Sequence, residues 1–125
     1  MEDNNLTRLT AKVMGWEAFP LDRDDYDNPK YGYPRLVQQL DGNGSWAVFR
    51  CADECEDWSP LTRMDHAIEL AEKARADGRR VEIEMNSHSD YCKVSAAGDR
   101  AWHTADPGQL PRAITLAILE QYGLL

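Results

Sequence analysis

Cys51 and Cys55 lie four positions apart, and with Cys92 and His103 they form a set of sulfur and nitrogen donors of the kind tetrahedral zinc prefers. The spacing falls slightly outside the usual paired-cysteine knuckle, and Cys92 and His103 are not paired in sequence at all. Small cysteines are also common core residues. Neither a metal nor a cofactor is therefore expected. A nucleophilic cysteine would need a histidine and an orienting group within reach. His66, His88 and His103 are the candidates, but His66, beside Asp65, reads as a surface or boundary residue of a helix, and His88 as a turn residue. Carboxylates abound, yet glycoside-type chemistry needs two of them in a cleft at a controlled separation. There is no glycine-rich phosphate loop, nucleophile elbow or metalloprotease helix signature. No catalytic residue is assigned, and the chain is not expected to be an enzyme.

What the side chains do offer is charge. Asp22, Asp24, Asp25 and Asp27 form one dense acidic segment, and Asp53, Glu54, Glu56 and Asp57 form a second. Over 125 residues, 22 acidic against 14 basic side chains give a net charge of −8. Such a field repels a phosphate backbone, which disfavours direct nucleic-acid binding, and it attracts a basic groove on another protein. The two acidic segments are the candidate contact residues. A small-ligand site for a nucleotide-type anion is the alternative. It would stack a base on Trp58 or Trp102 and gather phosphate-binding arginines from among Arg50, Arg63, Arg79, Arg80, Arg100 and Arg112. Trp16, Trp46, Trp58 and Trp102 each stand near a structural junction, where packing is the commoner role.

Composition sets the frame for these groups. Hydrophobic residues make up 42% of the chain, too many for a disordered protein, and 125 residues suit one domain, 1–125. No run approaches the roughly 18 apolar residues a membrane helix needs, and Met1–Asn5 lacks the character of a secretory signal. Three cysteines cannot all pair within one chain, which fits a reducing cytoplasm.

The elements that must position these residues follow from periodicity. Leu6, Leu9 and Val13 mark a first helix, capped by Asn4 or Asn5 and stopped at Gly15. Residues 16–34, with Pro20, Pro29 and Gly32, read as an irregular surface segment. Arg35–Leu40 and Trp46–Cys51 read as strands of a hairpin turned at Asp41-Gly42-Asn43-Gly44. Ser59 and Pro60 cap a second helix whose apolar stripe is Met64, Ala67, Ile68, Ala71 and Ala74, ending at Gly78. Val81, Ile83 and Met85 alternate with polar residues as the buried side of a strand. Return strands at Tyr91–Ala97 and Arg100–Thr104 flank a turn at Gly98-Asp99. Pro111 argues for starting the last helix near Gln109, with Ala113, Ile114, Ala117, Ile118 and Tyr122 as its stripe and Gly123 as its stop.

The expected fold class is α+β: an antiparallel sheet of about five strands packed with three helices, in the order α-β-β-α-β-β-β-α. The helices either cover one face or divide between both. The segments Leu9–Trp16, Trp58-Ser59-Pro60 with Asp65 and Ala67, and Pro111–Ile114 resemble those of the phage ABA-sandwich domain, a family of small phage and prophage proteins. That resemblance implies an α/β/α sandwich and a phage or prophage origin, and it carries over no site residue. The expected function is that of a non-enzymatic accessory protein, cytoplasmic in the host, that binds and inhibits a host protein with a basic surface, such as a defence factor. A nucleotide-sequestering module and a structural or assembly adaptor are the alternatives, and the oligomeric state is open.

Overall fold

The computed structural model describes residues 3–16, 18–20, 35–40, 46–51 and 55–125. They form three helices and seven strands in an α+β arrangement. The chain divides into two compact units, Met1–Trp58 and Ser59–Leu125.

In the first unit, α1 (Asp3–Met14) precedes β1 (Ala18–Pro20), β2 (Arg35–Leu40), β3 (Trp46–Cys51) and β4 (Cys55–Asp57), which hydrogen-bond in the order β1-β2-β3-β4. The expected hairpin forms with its expected ends, Arg35 opposite Cys51 and Leu40 opposite Trp46. Its turn, Asp41–Gly44, lies outside the described residues. Helix α1 packs on β2 and β3 and buries Leu6, Thr10, Ala11 and Val13. It begins at Asp3, earlier than a cap at Asn4 or Asn5 would put it, and this places a carboxylate at its positive end. At its other end Gly15 takes φ +75° and the Trp16 amide returns to the Ala11 carbonyl at 2.9 Å. Trp58 closes the unit: its ring meets Trp16 edge-on at 5.0 Å, and its indole N–H donates to Thr10 Oγ1 at 2.8 Å.

Two segments expected to be irregular prove to be strands. β1 lies within the region 16–34 and runs parallel to β2, Ala18 facing Leu36. β4 lies within the second acidic segment, with Cys55 opposite Cys51. In each case the unpaired edge of a neighbouring strand supplies ladder partners that outweigh weak local propensity.

The second unit comprises α2 (Met64–Ala76), β5 (Arg80–Met85), β6 (Asp90–Ala96), β7 (Asp99–Ala105) and α3 (Leu110–Gln121). The three strands form an antiparallel meander in the order β5-β6-β7, so the expected single five-stranded sheet is instead two sheets. Helix α3 lies on β6 and β7, and α2 packs on α3 and β5. Their shared core holds Leu70, Ala74, Cys92, Val94, Ala113, Ile114, Ala117, Ile118 and Leu119, all fully buried. Start and stop of α3 are as expected, with Pro111 in its first turn and Gly123 at φ +74°.

Helix α2 departs from expectation in start and orientation. Ser59 and Pro60 do not cap it; they open a separate turn in which the Ser59 carbonyl accepts from the Thr62 and Arg63 amides. The buried face is His66, Ala67, Leu70, Ala71 and Ala74. His66, expected near the surface, is buried, and its Nδ1 accepts the Ser59 amide at 3.0 Å. Met64 and Ile68, expected in the core, are more than a third exposed. Strand β5 likewise leaves Ile83 40% and Met85 71% exposed, because it is an edge strand.

The β6–β7 turn falls one residue earlier than expected. Ala97 and Gly98 take φ of 51° and 91°, the signature of a two-residue hairpin turn with both centres left-handed. Alanine at the first position pays for its Cβ there. Ala97→Asn should stabilise the protein by about 0.5–1 kcal/mol in urea denaturation, since asparagine tolerates that conformation. Ile118→Ala should destabilise it by about 3–4 kcal/mol, while Leu125→Ala at the exposed terminus should stay within about 0.5 kcal/mol.

Candidate functional site

Of the acidic candidates, Asp22, Asp24, Asp25, Asp27, Asp53 and Glu54 lie outside the described residues. Glu56 and Asp57 sit on β4, the edge strand of the four-stranded sheet, in register with Arg50 and Phe49 of β3. Asp57 is exposed. Acidic residues on an edge strand discourage addition of a strand of like charge.

The four zinc-type donors fall into two cross-strand pairs in different units: Cys51 opposite Cys55 on β3 and β4, and Cys92 opposite His103 on β6 and β7. Each donor of the second pair has another role. His103 Nε2 is bonded to the Glu120 carboxylate of α3. Cys92 is fully buried, and desolvation pushes its thiol up to about 12. A thiol so placed is neutral at physiological pH and serves as a small core residue. Among the described residues, no group of three or more His, Cys, Asp or Glu gathers as a metal would require. His66 is taken up by its backbone bond, and the exposed His88 stands in the β5–β6 turn, where Asn86 Oδ1 accepts the His88 and Ser89 amides at 2.8 Å.

Of the candidate arginines, Arg80 and Arg100 share one cross-strand row through Ser95. Arg63 forks onto Asp65 at 3.1 and 2.7 Å, and this bond holds the Asp65 carboxyl below its ordinary range. Arg79 stacks on the Tyr122 ring at 3.5 Å, and the Tyr122 hydroxyl donates to Asp77 at 2.5 Å. That hydrogen bond, with Lys73 beside it, lowers the Asp77 carboxyl. Arg112 lines a depression with His88, Thr104, Asp106, Gln109 and Leu116. Trp58 is buried and offers no face for a base.

One feature escaped the sequence reading. The face of the β5-β6-β7 sheet opposite its helices carries Glu82, Glu84, Tyr91, Lys93, Trp102 and Thr104. Trp102 is 55% exposed, with the Arg100 guanidinium 6.0 Å from its ring. Lys93, opposite Trp102, reaches Glu82 at 3.3 Å, and Glu82 also meets Arg80 at 3.2 Å. A depression of about 410 Å³ lies over Glu82, Glu84, Tyr91 and Lys93. The signal was the alternation of Tyr91 and Lys93 against Cys92 and Val94, which puts the polar and aromatic members on one side.

The chain matches no protein-family model, and no curated protein or solved structure is significantly similar to it.

The state of Cys92 can be checked directly. In a Cys51→Ser/Cys55→Ser variant, a water-soluble maleimide should leave the native protein unlabelled at neutral pH and label it fully in urea. Rapid native labelling would show a thiol that solvent reaches.

Proposed function

We propose that the chain is a non-enzymatic binding protein that occupies a basic surface on a protein of its host cell, with Asp22, Asp24, Asp25, Asp27, Asp53, Glu54, Glu56 and Asp57 as its contact residues. The distribution of charge carries this reading. Residues 1–58 hold 12 acidic and 6 basic side chains, whereas residues 59–125 hold 10 and 8. The acidic excess is thus concentrated in the unit that contains both segments, and a concentrated field steers association with a basic partner. Three of the candidate nucleophile and base residues have other roles: Cys92 in the core, His66 at a backbone amide and His103 at Glu120. Together with the resemblance to phage ABA-sandwich proteins, this supports reading the protein as a phage or prophage antagonist of a host factor that acts in the host cytoplasm.

An assembly adaptor is the second reading. It is favoured by one observation, the apolar residues Ile83 and Met85 exposed on the edge strand β5.

The electrostatic reading is tested with a partner identified by affinity purification from host cells. Replacing the eight acidic residues by Asn or Gln should slow association by about tenfold or more at low salt and abolish most of its salt dependence. The melting temperature should hardly change. Association that is insensitive both to salt and to this substitution would refute the proposed contact.

A further inference from the structure

We propose that two copies of this chain pair edge to edge through β5, extending the three-stranded sheet to six strands about a twofold axis. The proposal stands apart from what the acidic segments bind. Among the described residues, β5 pairs with β6 alone, so its outer edge presents unpaired backbone donors and acceptors. Proteins usually blunt such an edge with proline, lysine or inward-pointing charge. Arg80–Met85 has no proline, lysine or inward-pointing charge: its charged residues, Arg80, Glu82 and Glu84, lie on the open face and carry both signs, so they admit a strand of complementary pattern, and Val81, Ile83 and Met85 share the side of buried Cys92 and Val94.

Most of the exposed apolar residues lie on β5 or on its covering helix. Six large hydrophobic residues are exposed among those described, and four of them, Met64, Ile68, Ile83 and Met85, lie on β5 or on α2, the helix that packs on it. A twofold axis normal to the sheet would keep the helices of both copies on one side, so the apolar side of β5 would meet its own counterpart.

The charge pattern selects both the occupant and the register. Such an axis sets residues of like parity opposite each other. Centred on Glu82, the pairing puts Arg80 opposite Glu84 of the second copy, and Glu84 opposite its Arg80, which gives two complementary pairs. On the other side Val81 meets Ile83, twice over. Only Glu82 faces itself, and each Glu82 is already compensated by Arg80 at 3.2 Å and Lys93 at 3.3 Å. Moving the centre to Ile83 would set Glu82 against Glu84 twice, and moving it to Val81 would leave only residues 80–82 paired within the strands. β5 is therefore self-complementary in one register, and a second copy of the chain is the partner it fits.

Sedimentation equilibrium of the full chain across the micromolar range should show a dimer, twice 14.2 kDa. Arg80→Glu alone and Glu84→Arg alone should each weaken dimerisation by about tenfold or more, because each turns both complementary pairs into like-charge pairs. The double variant should recover it, which also shows that the substituted chains fold. Ile83→Lys should give a monomer with an unchanged circular dichroism spectrum, and Trp102→Ser, on the opposite edge strand, should leave the dimer intact. A wild-type chain that stays monomeric overturns the proposal. So does a dimer that ignores the single charge reversals, a double variant that fails to recover, or a dimer lost on Trp102→Ser.

Discussion

The burial of α3 is the constraint from which the second unit takes its form. Of its twelve residues, Leu110, Pro111, Ala113, Ile114, Thr115, Ala117, Ile118 and Leu119 are buried, so the helix is enclosed by β6 and β7 below and α2 beside it. Ala113 and Ala117 allow close approach, while Ile114, Ile118 and Leu119 fill the space between. A helix enclosed this fully leaves a polar side chain no solvent to turn to. Thr115 accordingly donates to the Pro60 carbonyl at 2.9 Å. That bond anchors the turn at Ser59–Arg63, and the Ser59 amide in turn donates to His66. The position and roll of α2 follow from this chain of bonds. With His66 and Leu70 turned inward, Met64 and Ile68 are left outside, and β5 has the flank of a single helix for cover.

This explains where the sequence was legible and where it was not. The stripe of α3 and its stop at Gly123 could be read because nearly every apolar residue there is buried, so periodicity and burial coincide. The hairpin from Arg35 to Cys51 was legible because its turn residues sit between two strand-like runs. The face of α2 was not, because its apolar residues span more than half the helix circumference, and only the tertiary bond from Ser59 to His66 decides which arc turns inward. β5 was misjudged for a related reason: alternation identifies a side of a strand, but not whether that strand lies at the centre or the edge of its sheet. β1 and β4 were missed because three-residue strands carry almost no local signal and owe their form to a neighbouring edge.

Of the candidate site, sequence gave the residue types but not their employment. Cys92 and His103 are indeed neighbours, as a metal or nucleophile reading would require, but one is desolvated and the other is held by Glu120. Chemistry at such residues depends on solvent access and on which partner arrives first, and both are tertiary properties. The acidic segments are different. A dense run of carboxylates acts at a distance whatever its local conformation, so its electrostatic meaning survives in the sequence alone.

The two proposals place opposite demands on charge, since a net of −8 repels a second copy of the chain. The division of that charge reconciles them. Residues 59–125, which contain β5, are nearly balanced, and at physiological ionic strength charges more than about 8 Å apart are largely screened. At the β5 edge, the proposed pairing therefore rests on the short-range pattern of Arg80, Glu82 and Glu84. On the two proposals, the acidic excess of residues 1–58 serves a basic partner and the nearly balanced residues 59–125 serve self-association. A dimer would present that acidic surface twice, and two linked contacts on a repetitive or dimeric target raise the effective affinity without any new contact.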